Sequence, residues 1–242
     1  MSIIRLQGIR GGVGTTSLVA ALAYELNRLG QRVLVVDHCP ENMLRLHFER
    51  PFAESGGWAH AWKEQQDWRE QAWELRSGLC LLPYGRVDAM TVGRLDHWLQ
   101  DHPDEWPLRL AELTQSFDWI LLDTPHHRLS GHCGSLRPDL DIQVLRPDAA
   151  CHALLQGRET VRKLMINGYD PASRLQQDLL LLWRHQYGDR LLPLPVYQDE
   201  GMAESMAYKQ PVGAHAVNSQ AADTLRSLAI WCLSQQGGRH EG

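Results

Sequence analysis

Long apolar runs are missing from this chain of 242 residues. Its longest, at 33–36, 120–122 and 179–183, are strand-sized or core-sized, far below the roughly 20 residues that span a bilayer. The amino terminus, MSIIRLQGIRGG, has no uninterrupted apolar stretch of signal-peptide length, so the chain is expected to be made and kept in the cytoplasm. Cysteine is sparse: five residues, odd in number, scattered over positions 39, 80, 133, 151 and 232 with no CxxC. That excludes a disulfide framework and zinc-finger spacing. An excess of positive charge is absent too. The chain has 24 Lys and Arg against 29 Asp and Glu, a net of −5, which is poorly suited to strong non-specific nucleic-acid binding. There is no internal repeat and no low-complexity tract. What is present is ordinary for a globular chain, 43% apolar and 22% charged residues, in a length that suits one well-buried domain and is short for two.

Short, nearly continuous apolar segments at 3–7, 32–37, 79–83, 118–123, 140–145, 163–167 and 191–196 read as strands buried on both faces, as in a parallel sheet. Helix-length segments lie between them. In the first, Leu18, Leu22, Leu26 and Leu29 recur at helical spacing, and Gly30 closes the helix. In the last, 221–233, Leu225, Leu228, Trp231 and Cys232 form the apolar side. The alternation predicts an α/β fold: a doubly wound, mostly parallel sheet of about seven strands with helices on both faces. Residues 1–235 are expected to form a single nucleotide-binding domain and 236–242 a disordered tail. Within the domain, 52–78 carries Trp58, Trp62, Trp68 and Trp73. It reads as a short helical cap on the sheet edge, with a partner surface as the sharper alternative, since tryptophan is favoured at interface hot spots.

The strongest feature is a strand, then a Gly-rich loop, then a helix. Gly11, Gly12 and Gly14 let the backbone curl so that successive N–H groups face one anion, and the next helix adds its positive end. Thr16 stands where a P-loop hydroxyl would ligate Mg²⁺. The plain GxxxxGK[ST] pattern is not met, because Ile9 replaces its first glycine and Thr15 its lysine.

The loop R-G-G-V-G-T-T-S resembles the deviant Walker A motif of the MinD/ParA ATPases, usually K-G-G-V-G-K-T-T. Further matches follow in order: VLVVDHCP to switch I, GLCLLPYG to the third strand, FDWILLDTP to Walker B and switch II, and VLRPDA to the next strand–helix junction. The strand ending at Asn167 and the segment PVYQDEGMAESMAYKQPV complete the series. The combination of R-G-G-V-G-T-T, D-x-C-P and the Trp-rich segment is most similar to the branch of this superfamily found in bacterial cellulose secretion operons. The resemblance implies a P-loop fold that binds ATP and Mg²⁺ through Arg10, Gly11, Gly12, Val13, Gly14, Thr15, Thr16 and Ser17. Asn167 would meet the base, the Pro195–Val196 backbone would flank the ring, Thr16 would hold the metal, and Asp37 and Asp123 would act on it through water. It also implies a homodimer closed across ATP, with Arg10 in the place of the lysine that reaches the partner subunit's phosphates.

The departures weaken catalysis. Thr15 brings no charge where the family's second lysine stabilises the transferring phosphoryl. Cys39 replaces the acid that orients the attacking water, and a thiol is a poor substitute there. Hydrolysis should be slow or absent, and no catalytic residue is assigned beyond support from Asp37 and Asp123. His126, His127, His132 and Cys133 suggest a metal site, but their spacing matches no zinc pattern and a solvated switch loop is the better reading. The expected partners are small accessory subunits of the BcsR and BcsE kind and the inner-membrane cellulose synthase. These would bring the chain to the cytoplasmic face of that membrane without insertion or nucleic-acid binding. The alternative is a ParA-like partitioning or MinD-like positioning ATPase.

Overall fold

A computed structural model of the chain describes residues 1–126, 135–157 and 162–237. Its strands are β1 (Ser2–Gly8), β2 (Val33–Asp37), β3 (Trp73–Arg76), β4 (Leu79–Leu82), β5 (Trp119–Thr124), β6 (Leu140–Leu145), β7 (Lys163–Tyr169) and β8 (Val196–Tyr197). The longer helices are α1 (Thr15–Arg28), α2 (Trp58–Glu64), α3 (Ala89–Asp101), α4 (Glu105–Ala111), α5 (Ala149–Gln156) and α6 (Arg174–Tyr187). Two short ones, α7 (Glu200–Glu204) and α8 (Val212–His215), precede α9 (Gln220–Gly237). The strands form one sheet in the order β3-β4-β2-β5-β1-β6-β7-β8. Every pairing is parallel except β3 with β4.

The pleat divides the apolar residues between two cores. Val33 and Val35 of β2 join Leu18, Leu22 and Leu26 of α1 and Leu225 and Leu228 of α9. Leu34 and Val36 join Trp58 of α2, Leu95 and Leu99 of α3, and Trp106 and Leu110 of α4. All five residues of β2 and all six of β5 are buried, as the continuous apolar runs required. Helix α1 stops at a Schellman turn. Gly30 sits at φ 82°, its N–H donates to Asn27 O at 2.9 Å, and the Gln31 N–H donates to Leu26 O at 3.2 Å.

Three expectations are corrected. The segment 52–78 is not wholly helical, and its strand brings the sheet of about seven expected strands to eight among the described residues. After α2 and a 3-10 turn (Trp68–Gln71), the W-E-L-R of β3 alternates inward and outward. It pairs antiparallel with β4 through Trp73 opposite Leu81 and Glu74 opposite Cys80. The last strand, expected over 191–196, is only Val196–Tyr197. Pro193 and Pro195 have no N–H for a ladder, so Leu191 makes just an isolated bridge to Leu164. Helix α9 runs to Gly237, two residues into the expected tail, whose remainder lies outside the described residues.

Candidate nucleotide site

The Gly-rich loop leaves β1 at the C-terminal end of the sheet, where β1 lies between β5 and β6. Ligands of open α/β sheets bind at such a point. Gly12 (φ 76°) and Gly14 (φ 87°) adopt the left-handed region, which costs a side-chain-bearing residue strain. Gly14 caps α1 without a side-chain bond, leaving the first N–H groups of the helix to an outside acceptor. A cavity of about 380 Å³ opens above the loop. Arg10, Gly11, Gly12, Gly14, Thr15, Thr16 and Ser17 line it on one side, and Cys39, Asp123 and His126 on the other.

Asp123 lines this cavity, and a second carboxylate, Asp37, lies beside it behind the wall. Asp37 ends β2 directly opposite Asp123 of β5, and both are buried. The Asp37 carboxylate accepts the Cys39 N–H at 2.8 Å and the Leu44 N–H at 3.4 Å. Burial, with the charge of Asp123, still pushes its pKa well above the ordinary carboxylate range. Neither oxygen of Asp123 has a well-formed hydrogen bond. Burial lifts its pKa to about 6, against the opposing pull of the Thr16 hydroxyl and the Cys39 thiol. A buried carboxylate without partners is costly unless a cation meets it. Donor atoms of Asp37, Cys39 and Asp123 all lie within 4.8 Å of one another. The two carboxylates and the Thr16 hydroxyl suit a hard, oxygen-seeking ion such as Mg²⁺. Cys39 does not: burial holds its thiol pKa far above the usual value, so it is neither thiolate ligand nor nucleophile at neutral pH. Its Sγ lies 3.7 Å from the Asp123 carbonyl oxygen, as a weak donor.

Other residues fall in places that the sequence pattern did not indicate. Asn167 is buried beside the loop, and its Nδ2 donates to Val13 O at 2.7 Å. It therefore ties β7 to the phosphate loop, and a Cβ on Gly14 would collide with that amide. Val196 pairs opposite Asn167, and Pro195 and Val196 lie outside the walls of the 380 Å³ cavity. Arg10 is folded onto its own chain: Nη2 reaches Asp148 Oδ2 at 2.5 Å and Nη1 donates to Gly11 O at 2.8 Å. Asp148 also caps α5 by accepting the Cys151 N–H at 2.8 Å. The P-D-A-A pattern ahead of that helix was a readable N-cap signal. Glu41, Met43 and Met206 complete the rim, and no local pattern marks them. Of the His/Cys group after Asp123, only His126 is described, on the cavity wall; His127, His132 and Cys133 lie outside the described residues.

A family model described as cellulose biosynthesis protein BcsQ matches residues 1–233. The BcsQ of Salmonella typhimurium is 40% identical over 251 residues, covering 98% of this chain and 96% of that protein. A ParA family ATPase from Chlorobium tepidum superposes with a TM-score of 0.72 at 20% identity, over 95% of this chain and 97% of the other. MinD of Pyrococcus horikoshii, solved in complex with Mg-ADP, gives 0.69 at 21% identity over 94% of each chain. The sheet and its helices thus have the ParA/MinD P-loop architecture.

Proposed function

Since the chain belongs to the BcsQ family of cellulose biosynthesis proteins, we propose that it serves cellulose synthesis as a nucleotide-dependent scaffold. It holds ATP with Mg²⁺ in the Gly-rich site, pairs with a second copy across the nucleotide, and turns ATP over slowly or not at all. The observation that carries this reading is the Gly-rich loop, with helix N–H groups that no side chain caps, facing a buried Asp123 carboxylate that has no well-formed hydrogen bond. The backbone of residues 10–17 would bind phosphates. Thr16, with Asp37 and Asp123 acting through water, would hold the cation, which when bound shields phosphate charge and relieves the carboxylates. Asn167 keeps the loop in shape and presents its carbonyl side to the base, beside the Pro195–Val196 backbone.

Weak turnover follows from two replacements. Thr15 leaves the transferring phosphoryl without a fixed positive charge. Cys39, a neutral thiol, cannot orient water as a carboxylate does. A MinD-like membrane switch needs a basic amphipathic C-terminal helix. In α9 the single arginine, Arg226, turns to Glu25 and Asp223 instead, and no described helix is long and apolar enough to cross a membrane. The scaffold would reach the inner-membrane cellulose synthase through small accessory subunits.

Purified protein should release ATP or ADP on denaturation, read by chromatography. Calorimetry should show Mg-ATP binding that Thr16→Ala weakens by about tenfold or more, the loss of a charge-assisted contact. Gly14→Val is a poor probe, because it breaks the loop against Asn167 as well as blocking phosphate. Wild-type protein that binds no nucleotide in either assay would overturn the proposal. Sedimentation tests the dimer: Arg10→Ala should lower self-association in ATP more than it lowers ATP affinity. Equal dimerisation at every ATP concentration would leave a monomeric adaptor.

A further inference from the structure

A groove on the α2–α3 side has no part in the site above. Trp62 of α2 and Trp98 of α3 face each other with ring centroids 5.8 Å apart. Two depressions meet there, of about 580 and 390 Å³, sharing Trp62, Arg94 and Trp98. The larger continues past Gly93 to Met90, which is 74% exposed. Gly93 stands in mid-helix, where glycine costs about 1 kcal/mol relative to alanine. None of the described residues comes within 4 Å of a Cβ placed there, so no packing among them accounts for the missing side chain. The groove accepts a side chain from outside at that point.

The smaller depression is lined by Arg94 and Lys63 and, among the described residues, by no carboxylate. Arg94 makes no ion pair or hydrogen bond with any described residue. Lys63 lies 3.6 Å from its exposed neighbour Glu64 and within electrostatic reach of Asp88. Of the nearby carboxylates, Asp88 caps α3 through the Thr91 N–H and hydroxyl, and the exposed Asp101 stands at the far end of the larger depression, 3.9 Å from His97. We propose that this groove docks an acidic amphipathic helix of a partner protein. One apolar side chain would enter over Gly93 between Trp98 and Met90, and carboxylates would meet Arg94 and Lys63. Two side-by-side helices offer a groove for a third, read by anchors at i, i+3 and i+4, and an unneutralised guanidinium selects carboxylates.

The groove is wired to the nucleotide site. One helical turn before Trp62, Trp58 donates its Nε1–H to Asp37 O at 2.7 Å. The His38 ring lies 5.5 Å from that of Trp58 and 4.4 Å from that of Trp106. A helix seated on Trp62 therefore presses on the element that ends in Asp37. The inference uses the scaffold reading only in that a scaffold must have a partner; it does not require that ATP is bound.

The test uses the full chain in its own bacterium, with a photo-crosslinking benzoylphenylalanine at Met90 and mass-spectrometric mapping of the attached segment. The expected adduct is a segment of net negative charge with apolar residues at helical spacing. Arg94→Glu and Gly93→Leu should each reduce it at least tenfold, and exchanging a carboxylate of the segment for arginine should restore it with Arg94→Glu. Gly93→Leu lies at an open helical site, so its unfolding curve separates lost docking from lost folding. No adduct, a lipid adduct, an adduct to a second copy of this chain, or one that persists in both variants would overturn the proposal. Calorimetry of Mg-ATP on the same variants keeps the two readings apart. Absent ATP binding with an intact adduct removes the nucleotide scaffold and leaves the groove.

Discussion

The two faces of the sheet are packed by different chemistry. The face under α1 and α9 is aliphatic, built from residues such as Leu18, Leu22, Leu26 and Leu225. The face under α2, α3 and α4 is aliphatic too, but it carries a cluster of touching aromatic rings, whereas the buried aromatics of the first face, Trp119, Tyr169 and Trp183, are spread over separate elements. Trp58 meets Tyr84 edge-on at 4.8 Å and Trp106 at 5.0 Å, and His38 is inserted among them. Aliphatic burial is non-directional. It fixes α1 by area, and the loop ahead keeps its shape through glycine dihedrals and the Asn167 amide. Aromatic packing brings preferred orientations and polar handles, here the Trp58 N–H on the Asp37 carbonyl. The phosphate loop joins the aliphatic core through Ile9 and Val13, whereas the acidic end of β2 is coupled to the cap through a directional hydrogen bond.

The largest effects test that division. Trp58→Ala should cost about 3–5 kcal/mol and Leu22→Ala about 2–5 kcal/mol in urea unfolding. Only Trp58→Ala should also weaken Mg-ATP binding per folded molecule. If Leu22→Ala weakens it as much, the two faces are equally coupled to the site.

Acidification of the nucleotide-free protein gives a second separation. Burial depresses the pKa of His47, packed against α1 at Ser17, from 6.5 to about 4. Its neutral form is favoured by folding, so this stability is whole above pH 6.5 and is lost as pH falls toward 4. Asp123 has the opposite sign. Its folded pKa of about 6 exceeds 3.8, so its ionised form costs stability above pH 6, and the cost disappears as pH falls toward 4. Asp37 adds to that slope. The His47 and Asp123 contributions are each on the order of 3 kcal/mol. His47→Leu should thus leave a protein that gains stability between pH 7 and 4.5. Neutralising both carboxylates, Asp37→Asn with Asp123→Asn, should leave one that loses it, from a higher starting point at pH 7. Parallel pH profiles in the two variants would refute the assignment.

Two glycine substitutions give the smallest effects, and their signs differ. Gly213 of α8 abuts Glu25, a buried acid held by Arg28 at 3.2 Å and Arg226 at 3.6 Å. Gly213→Ala pushes into that carboxylate and should destabilise by about 1–3 kcal/mol. Gly93→Ala meets open space and should stabilise by roughly 0.5–1 kcal/mol. Thermal unfolding of both variants decides, and equal signs would mean that the α3 surface is already filled.

Much of the fold was legible because it rests on local rules. Continuous apolar runs marked β2 and β5, leucine spacing marked α1, and Gly30 marked its end. The edge strand β3 was hidden because four alternating residues inside a tryptophan-rich stretch carry too short a period to separate strand from helix. The short β8 was overread because the prolines at 193 and 195 were outweighed by the leucines around them.

In the site the boundary is similarly physical. The sequence by itself determined the loop, its glycines, the hydroxyl of Thr16, and the replacement of two charged groups by Thr15 and Cys39, since these are properties of residue type in a fixed local order. Only the tertiary structure decided which groups meet across distance: Asn167 with Val13, Arg10 with Asp148, Trp58 with Asp37, and the buried Asp37 with the buried Asp123. Those contacts depend on how separate strands and helices align in the packed sheet, and on the burial that follows, and neither is encoded in any window of neighbouring residues.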